Sequence, residues 1–157
     1  MLFRSELRRL KTLGSEVILI EASSHGLDQG RLDGVCIHSA VFTNLTHDHL
    51  DYHRTLEAYG QAKATLFRWP ALEVAIVNID DAFGEQLARE TTAKKVVTYG
   101  IENPLADVVA REVRTSPQGV SFELKAFDQR LSAETALLGR FNLSNVLAVV
   151  ACLIEQG

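Results

Sequence analysis

The stretch Val74-Ala75-Ile76-Val77, followed by Asn78-Ile79-Asp80-Asp81, decides the fold class of this chain. Four successive aliphatic residues predict a strand buried on both faces, because a strand with one solvated face alternates apolar and polar residues. Similar short apolar runs lie at residues 17–20, 40–42 and 96–99. Helical patterns separate these runs. This alternation predicts an α/β fold with a mostly parallel, doubly wound sheet.

The helices between these strands carry local start and stop signals. Ser5 is a candidate cap for a first helix that ends near Gly14. A second helix is predicted over residues 55–67, because its apolar residues form one stripe and Trp69-Pro70 follows. Asp80 or Asp81 is the predicted cap of a third helix.

The pattern changes in the second half of the chain. Residues 108–113 and 120–127 alternate apolar with polar side chains, and Ser116-Pro117-Gln118-Gly119 separates them. This predicts a β-hairpin. With a third strand over residues 131–138, it predicts a small antiparallel side sheet over residues 107–138.

The end of the chain predicts one more helix. Asn142 is a candidate cap for a helix within residues 139–157. This helix is apolar nearly all round, so we expect it to be buried or to abut another domain. The whole chain, residues 1–157, is interpreted as a single domain, with its parallel α/β part over residues 1–100 and the antiparallel strands over 107–138; the family resemblance given below implies that this domain is partial.

Composition excludes several classes of protein. The 157 residues contain 46% hydrophobic and 23% charged residues, which is typical of one soluble domain. A net charge of -4 gives no reason to expect nucleic-acid binding. No apolar run approaches the ~20 residues of a membrane span, and the start does not resemble a signal peptide. We expect a cytoplasmic protein in which Cys36 and Cys152 are buried free thiols.

Polar groups follow three of the predicted strands. These are Glu21-Ala22-Ser23-Ser24-His25, the segment from Thr43 through His53, and Asn78-Ile79-Asp80-Asp81. Ligands of open parallel sheets bind beyond the carboxyl ends of the strands. The shared edge is therefore the predicted site.

Glu21 and the histidine cluster are candidate metal ligands. A carboxylate directly after four aliphatic residues suits a divalent ion, although a helix cap or a loop hydrogen bond explains Glu21 equally well. His47, His49 and Asp51 match the opening of the H-x-H-x-D-H motif of metallo-β-lactamase-type hydrolases. That motif requires a histidine where this chain has Tyr52. A metal-dependent hydrolase remains an alternative. His47, Asp51 and His53 are otherwise interpreted as groups at a helix start.

Lys63 lies on the stripe of the second helix that faces the predicted core. It either pairs with an acidic side chain or, as a neutral amine, captures carbon dioxide. The resulting carbamate is an anion with oxygen ligands suited to magnesium. Asn145, one turn into the last helix, either reads the edge of a heterocycle or faces solvent.

These segments together resemble the Mur ligases, the ATP-dependent amide-forming enzymes of peptidoglycan precursor synthesis. The matching segments, in family order, are residues 21–27 with Gln29 and Arg31, 42–53, 59–63, 78–81 and 139–145. The Ser-Ser-His element favours the branch that adds the third residue, diaminopimelate or L-lysine, to UDP-N-acetylmuramoyl-L-alanyl-D-glutamate.

The resemblance implies Mg²⁺ and ATP as cofactors, and roles for eight residues. Glu21 and His49 are then magnesium ligands, and Lys63 is a carbamylated lysine that supports a second magnesium ion. The substrate is the UDP-N-acetylmuramoyl-dipeptide, and the residues implied in holding it are Ser23, Gln29 and Arg31. The residues implied at the adenine are Asn142 and Asn145.

The implied reaction transfers the γ-phosphoryl group of ATP to the D-glutamate side-chain carboxylate, and an amine of the incoming diamino acid then attacks the acyl phosphate. The sequence contains no G-x-x-x-x-G-K-[ST] phosphate-binding loop. The resemblance therefore covers only the later part of the P-loop-NTPase-like middle domain. We expect the other domains of the same enzyme to be partners, the isolated chain to be inactive, and its uncovered surfaces to favour self-association. A non-catalytic binding domain of the same fold is a further alternative.

Overall fold

The computed structural model describes residues 2–46 and 50–156. Helices and strands follow one another in this order: α1 Leu2–Thr12, α2 Ser24–Asp28, β1 Ser39–Phe42, α3 Leu50–His53, α4 Leu56–Phe67, β2 Val74–Asn78, α5 Ala82–Glu90, β3 Lys95–Gly100, β4 Val108–Ser116, β5 Gly119–Ala126, β6 Gln129–Thr135 and α6 Arg140–Gln156. None of these helices combines the length and the apolar character that crossing a membrane requires.

The six strands form one sheet in which the spatial order equals the chain order. β1 to β4 are parallel, and β4 to β6 are antiparallel. The predicted α/β class with a mostly parallel sheet and added antiparallel strands is confirmed. The antiparallel strands do not form a separate side sheet, because Tyr99 and Gly100 of β3 pair with Val108 and Val109 of β4. This pairing joins the antiparallel strands to the carboxyl end of β3 and covers the edge of β3 there.

Helices cover both faces of the sheet, as the doubly wound prediction requires. Val74 and Ile76 of β2 pack in the core beneath α6, whereas Ala75 and Val77 pack in the core beneath α4 and α5. Alternate residues of a strand point to opposite faces, so a continuous aliphatic run supplies both cores. α4 and α5 lie on the same face because both belong to crossovers between consecutive parallel strands, which share one hand.

Side-chain caps define the starts of the two crossover helices. Thr55 caps α4 by accepting a hydrogen bond from the Ala58 amide at 3.1 Å. Of the two candidates for α5, Asp81 is the cap, and it accepts hydrogen bonds from the amides of Phe83 and Gly84. Both helices therefore begin where their sequence signals predict.

The predicted buried strand at residues 17–20 is wrong. The segment is irregular, and Leu19 is 89% exposed. A buried strand needs a hydrogen-bonded neighbour for its backbone, and no strand in the described part of the chain pairs with this segment. The aliphatic pattern predicts burial only where such a partner exists.

The predicted cap of the last helix is also wrong. α6 begins at Arg140, so Asn142 lies inside its first turn and donates a hydrogen bond to the Leu138 carbonyl at 2.7 Å. Gly139 has a φ of +95°, which a glycine adopts without strain, and this places the turn into the helix earlier than predicted. The helix buries one face, including Leu147, while Leu153 is exposed.

The cysteines are free thiols, as predicted. Cys152 is half-buried on α6, but Cys36 is exposed, so its predicted burial is wrong. Cys36 precedes β1 in an irregular segment.

Candidate functional site

The carboxyl ends of β1 and β2 meet at one edge of the sheet, and Asn78 joins them. Its side-chain amide donates a hydrogen bond to the Thr43 carbonyl at 2.8 Å and lies 3.5 Å from the Ser144 hydroxyl of α6. Its side-chain oxygen accepts a hydrogen bond from the Asp80 amide at 3.0 Å. The segment after β1, the end of β2 and the start of α6 are therefore held together at the predicted edge.

Asp80 and Asp81 stabilise the loops at this edge of the sheet. While Asp81 caps α5, its second carboxylate oxygen accepts a hydrogen bond from the Leu45 amide at 2.9 Å. The Asp80 carboxylate accepts hydrogen bonds from three successive amides, those of Ile101, Glu102 and Asn103. Both carboxylates therefore hold loops at this edge of the sheet through hydrogen bonds to backbone amides. These hydrogen bonds explain why acidic residues follow β2, and the explanation requires no ligand.

The three predicted substrate residues lie in or beside one short helix, α2. Ser23 caps it, because its hydroxyl oxygen accepts a hydrogen bond from the Gly26 amide at 3.1 Å. Gln29 donates a hydrogen bond to the Tyr52 hydroxyl at 3.4 Å. Arg31 is held through its backbone amide, which donates to the Gly26 carbonyl at 2.8 Å, and its side chain is exposed. One compact turn therefore presents all three side chains.

A line of contacts runs from this turn to Lys63. The Nε2 atom of buried His53 lies 2.9 Å from the Ser24 hydroxyl. The His53 ring stacks on Tyr59, with centroids 5.4 Å apart and an interplanar angle of 28°. The Lys63 Nζ atom lies 4.9 Å from the centroid of the Tyr59 ring. The turn at residues 23–31, which carries the three predicted substrate residues, and Lys63 are therefore connected through two rings.

Lys63 is half-buried, and no acidic side chain of residues 2–46 or 50–156 forms an ion pair with it. Its predicted pairing with an acid is thus not found in the described part of the chain. Tyr59 provides the contact instead, through the attraction between an ammonium group and the face of an aromatic ring.

The predicted metal ligands are described only in part. Glu21 is exposed just before α2, and its carboxylate has no partner among the described residues. It does not cap α2, because Ser23 does. His49, together with His47, lies outside the described residues. No group of three or more His, Cys, Asp or Glu in the described part could hold a metal ion. The free carboxylate of Glu21 fits a magnesium site as an oxygen donor, whereas Lys63 would supply oxygen donors only as its carbamate. The full set of Glu21, His49 and Lys63 stays a prediction.

The two predicted adenine residues lie at the start of α6, beside the edge. Asn145 is exposed, whereas the amide nitrogen of Asn142 is engaged by the Leu138 carbonyl. Arg140 forms an ion pair with Glu102, which links the start of α6 to the loop that Asp80 holds.

Sequence reasoning missed the buried contact between Ser24 and His53. These residues are 29 positions apart, and no periodicity relates them. The sequence offers one signal, which is that each of the two residues belongs to a candidate segment. A surface depression of about 680 Å³ lies elsewhere, between residues 33–37, which precede β1, and residues 68–71, which follow α4, and none of the predicted site residues lines it.

Comparison with known proteins identifies the family. Residues 2–153 match the family model described as the Mur ligase middle domain. The UDP-N-acetylmuramoyl-L-alanyl-D-glutamate–2,6-diaminopimelate ligase of Pseudomonas aeruginosa is 44% identical over 154 residues, covering 98% of this chain and 32% of the relative. The ligase of the same name from Chromobacterium violaceum is 44% identical over 156 residues, covering 98% of this chain and 31% of the relative.

A solved structure of a ligase with the same name superposes with a TM-score of 0.77 and 42% identity, over 86% of this chain and 29% of that one. The chain spans about a third of the length of the curated relatives that it matches. None of these relatives supports the hydrolase alternative, in which His47, His49 and Asp51 bind metal. With a family model that matches 152 of its residues, from 2 to 153, this chain belongs to the Mur ligase middle domain family.

Proposed function

We propose that this chain is part of an ATP-dependent ligase that joins the third amino acid to UDP-N-acetylmuramoyl-L-alanyl-D-glutamate. The similarity to diaminopimelate-adding ligases over 98% of the chain carries this proposal, and it favours diaminopimelate over lysine as the incoming diamino acid. The same proposal makes the protein a bacterial cytoplasmic enzyme of peptidoglycan synthesis. Residues 1–157 then form one partial domain of it.

Ser23, Gln29 and Arg31 are the proposed contacts to the UDP-linked dipeptide. The single turn that presents them supports this assignment. Arg31 suits an anionic group of the substrate, because its guanidinium has several donors in a fixed plane. Its side chain is exposed and makes no ion pair with the described residues, so it is available to a ligand.

Glu21, His49 and Lys63 are the proposed magnesium ligands, with Lys63 as its carbamate. To form the carbamate, the ammonium group over Tyr59 first loses one proton to become a neutral amine. The amine nitrogen then bonds to the carbon of carbon dioxide and loses a second proton, which leaves an anion. Forming it displaces the contact with Tyr59, which is worth about 0.5 to 1 kcal/mol at an exposed site. Bound magnesium would supply positive charge as the γ-phosphoryl group of ATP meets the substrate carboxylate.

Asn142 and Asn145 are the proposed adenine contacts. Asn145 can offer both its donor and its acceptor, whereas Asn142 keeps its side-chain oxygen as an acceptor. The proximity of α6 to the end of β2, through Ser144 and Asn78, supports a nucleotide position at this edge.

The remaining domains of the enzyme are the proposed partners. The exposed aliphatic segment at residues 17–20 and the edge of β1, which pairs only with β2 in the described chain, also support self-association. Sedimentation analysis of the 157-residue chain at increasing concentration tests this, and a monomer throughout would refute it.

A chimera tests the function. In it, this chain replaces the matching third of the Pseudomonas aeruginosa ligase. We expect release of ADP that requires both the UDP-linked dipeptide and diaminopimelate, and an amide product of the corresponding mass. The 157-residue chain alone is the control, and we expect it to form no product. A folded chimera that binds its substrates but forms no amide would refute the proposal.

The carbamate has a separate test. Incubation of the chimera with ¹³C-labelled bicarbonate should give a carbamate signal in its NMR spectrum. Lys63→Arg is the matched control, because it keeps the positive charge but cannot form the lysine carbamate. A signal that persists in this variant would show that another amine carries the label.

A further inference from the structure

We propose that Tyr52 and His53, the last two residues of α3, are positioning residues that hold α2 in the orientation that the UDP-linked substrate requires. This inference rests on the proposed function, and it concerns residues to which that function assigns no role. Neither side chain is a proposed ligand contact. Each acts through the turn that carries Ser23, Gln29 and Arg31.

His53 holds the start of α2. Its Nε2 atom lies 2.9 Å from the hydroxyl of Ser24, and both residues are buried, with 9% and 5% of their surfaces exposed. Ser24 is the first residue of α2 and follows Ser23 directly. Because this hydrogen bond fixes Ser24 against α3, it also fixes the direction in which the exposed Ser23 points.

Tyr52 holds the end of α2. Its hydroxyl donates a hydrogen bond to the Asp28 carboxylate at 2.8 Å and accepts one from Gln29 at 3.4 Å. Between the two ends, the His25 ring packs against Tyr52 and His53, with centroids 4.1 and 5.4 Å away. α3 therefore contacts α2 at its start, middle and end.

α2 needs such support because it has only five residues. A helix of this length is not stable by itself in water, since few hydrogen bonds offset the ordering of the chain. α3 can provide the support because it is itself anchored: His53 stacks on Tyr59 of α4, and the His53 carbonyl accepts a hydrogen bond from the Thr55 amide at 2.8 Å. The turn that carries Ser23, Gln29 and Arg31 is therefore held, through α3, in a fixed position relative to α4.

Steady-state kinetics of the chimera defined above test the inference. His53→Phe keeps an aromatic ring on Tyr59 but leaves the Ser24 hydroxyl without its partner, and Ser24→Ala removes the same hydrogen bond from the other side. We expect each change to raise the KM for the UDP-linked dipeptide about tenfold, the effect of one lost buried hydrogen bond. The KM for ATP should change less than about twofold, because the proposed nucleotide contacts lie on α6.

Two further variants make the test specific. The double variant of His53→Phe and Ser24→Ala should be no worse than either single variant, because both remove one interaction. His53→Gln, whose amide can reach the Ser24 hydroxyl, should restore most of the lost affinity. Additive losses, or equal increases in the KM values of both substrates, would show that these residues only stabilise the fold and would overturn the proposal.

Amide hydrogen exchange gives an answer even if the chimera has no ligase activity. His53→Phe should speed exchange at the amides of Leu27, Gln29 and Arg31, which are hydrogen-bonded within the turn, and leave Ile76 of β2 unchanged. Unchanged exchange in the turn, or faster exchange throughout the protein, would refute the positioning role. An inactive chimera with locally faster exchange would refute the proposed function alone.

Discussion

Gly84→Ala is expected to destabilise the protein, although helix propensity predicts the opposite. Gly84 lies in α5, where alanine is favoured over glycine by up to about 1 kcal/mol. A Cβ atom at this position would lie 1.9 Å from the backbone carbonyl oxygen of Asn78 and 3.1 Å from the ring of Phe42. Because a backbone carbonyl cannot rotate away, α5 itself must move off the end of β2.

The expected loss in the free energy of unfolding is the steric cost of the added methyl group minus the gain in helix propensity. Inserting a methyl group into a packed site costs about 1 to 3 kcal/mol, and a contact with rigid backbone belongs at the upper end of that range. Subtracting the gain in propensity leaves about 2 kcal/mol. For a domain of this size, that lowers the melting temperature by about 4 to 8 °C.

Gly60→Ala is the matched control, measured by thermal and urea denaturation of the same chain. Gly60 is also inside a helix and gains the same propensity, but its Cβ atom would meet the ring of Phe83 at 2.9 Å. A side chain can shift, so we expect a smaller loss than for Gly84→Ala. A Gly84→Ala variant as stable as the parent, or less affected than Gly60→Ala, would contradict the close approach of α5 to Asn78.

Three further sets of measurements test other parts of the structure. Tyr99→Phe removes a buried hydrogen bond to a β1 carbonyl and should cost about 1 to 3 kcal/mol in urea denaturation. Burial raises the pKa of the Tyr99 hydroxyl above its value in the unfolded chain. The neutral hydroxyl therefore contributes its full stabilisation below about pH 10, and this contribution is lost as pH rises towards the folded-state pKa. Denaturation curves at alkaline pH should show that the free energy of unfolding falls less steeply with pH for the variant than for the parent. Asn78→Ala leaves the Thr43 carbonyl without its donor and should cost about 1 to 3 kcal/mol, seen as a lower urea midpoint with an unchanged slope. Cys36 is exposed and burial raises the pKa of the Cys152 thiol, so a thiol reagent near pH 8 should label Cys36 first, and equal rates would contradict the difference in burial.

A helix or strand was predictable from the sequence wherever the residues of that one segment indicate by themselves that it is buried or where it begins. All residues of β2 are buried, and the unbroken aliphatic run at residues 74–77 predicts this burial directly. The cap of α5 was predictable as Asp80 or Asp81, because a cap acts within three residues of itself, and Asp81 is the cap. Residues 17–20 carry the same aliphatic signal as β2, yet a strand also requires a neighbour, and the local pattern contains no information about that neighbour.

The candidate site was predictable in position but not in its internal contacts. Parallel strands place polar residues at one edge, and the structure joins the segment after β1 to Asn78 there. The link between Ser24 and His53 depends on how α2 packs against α3, which no spacing in the sequence encodes. The surroundings of Lys63 were only half predicted, since its helical stripe indicates burial but does not say that an aromatic face will replace an acidic partner.

The identity of chain order and sheet order has a consequence for synthesis on the ribosome. Each strand emerges next to the strand that it pairs with, so the sheet can grow in one direction without waiting for distant segments. α6 is the exception, because it follows all six strands and covers the core formed by Tyr99, Val108 and their neighbours. Until residues 140–156 leave the exit tunnel, that apolar face stays uncovered. A nascent chain paused before residue 140 is therefore the stage at which we expect chaperone binding to be strongest.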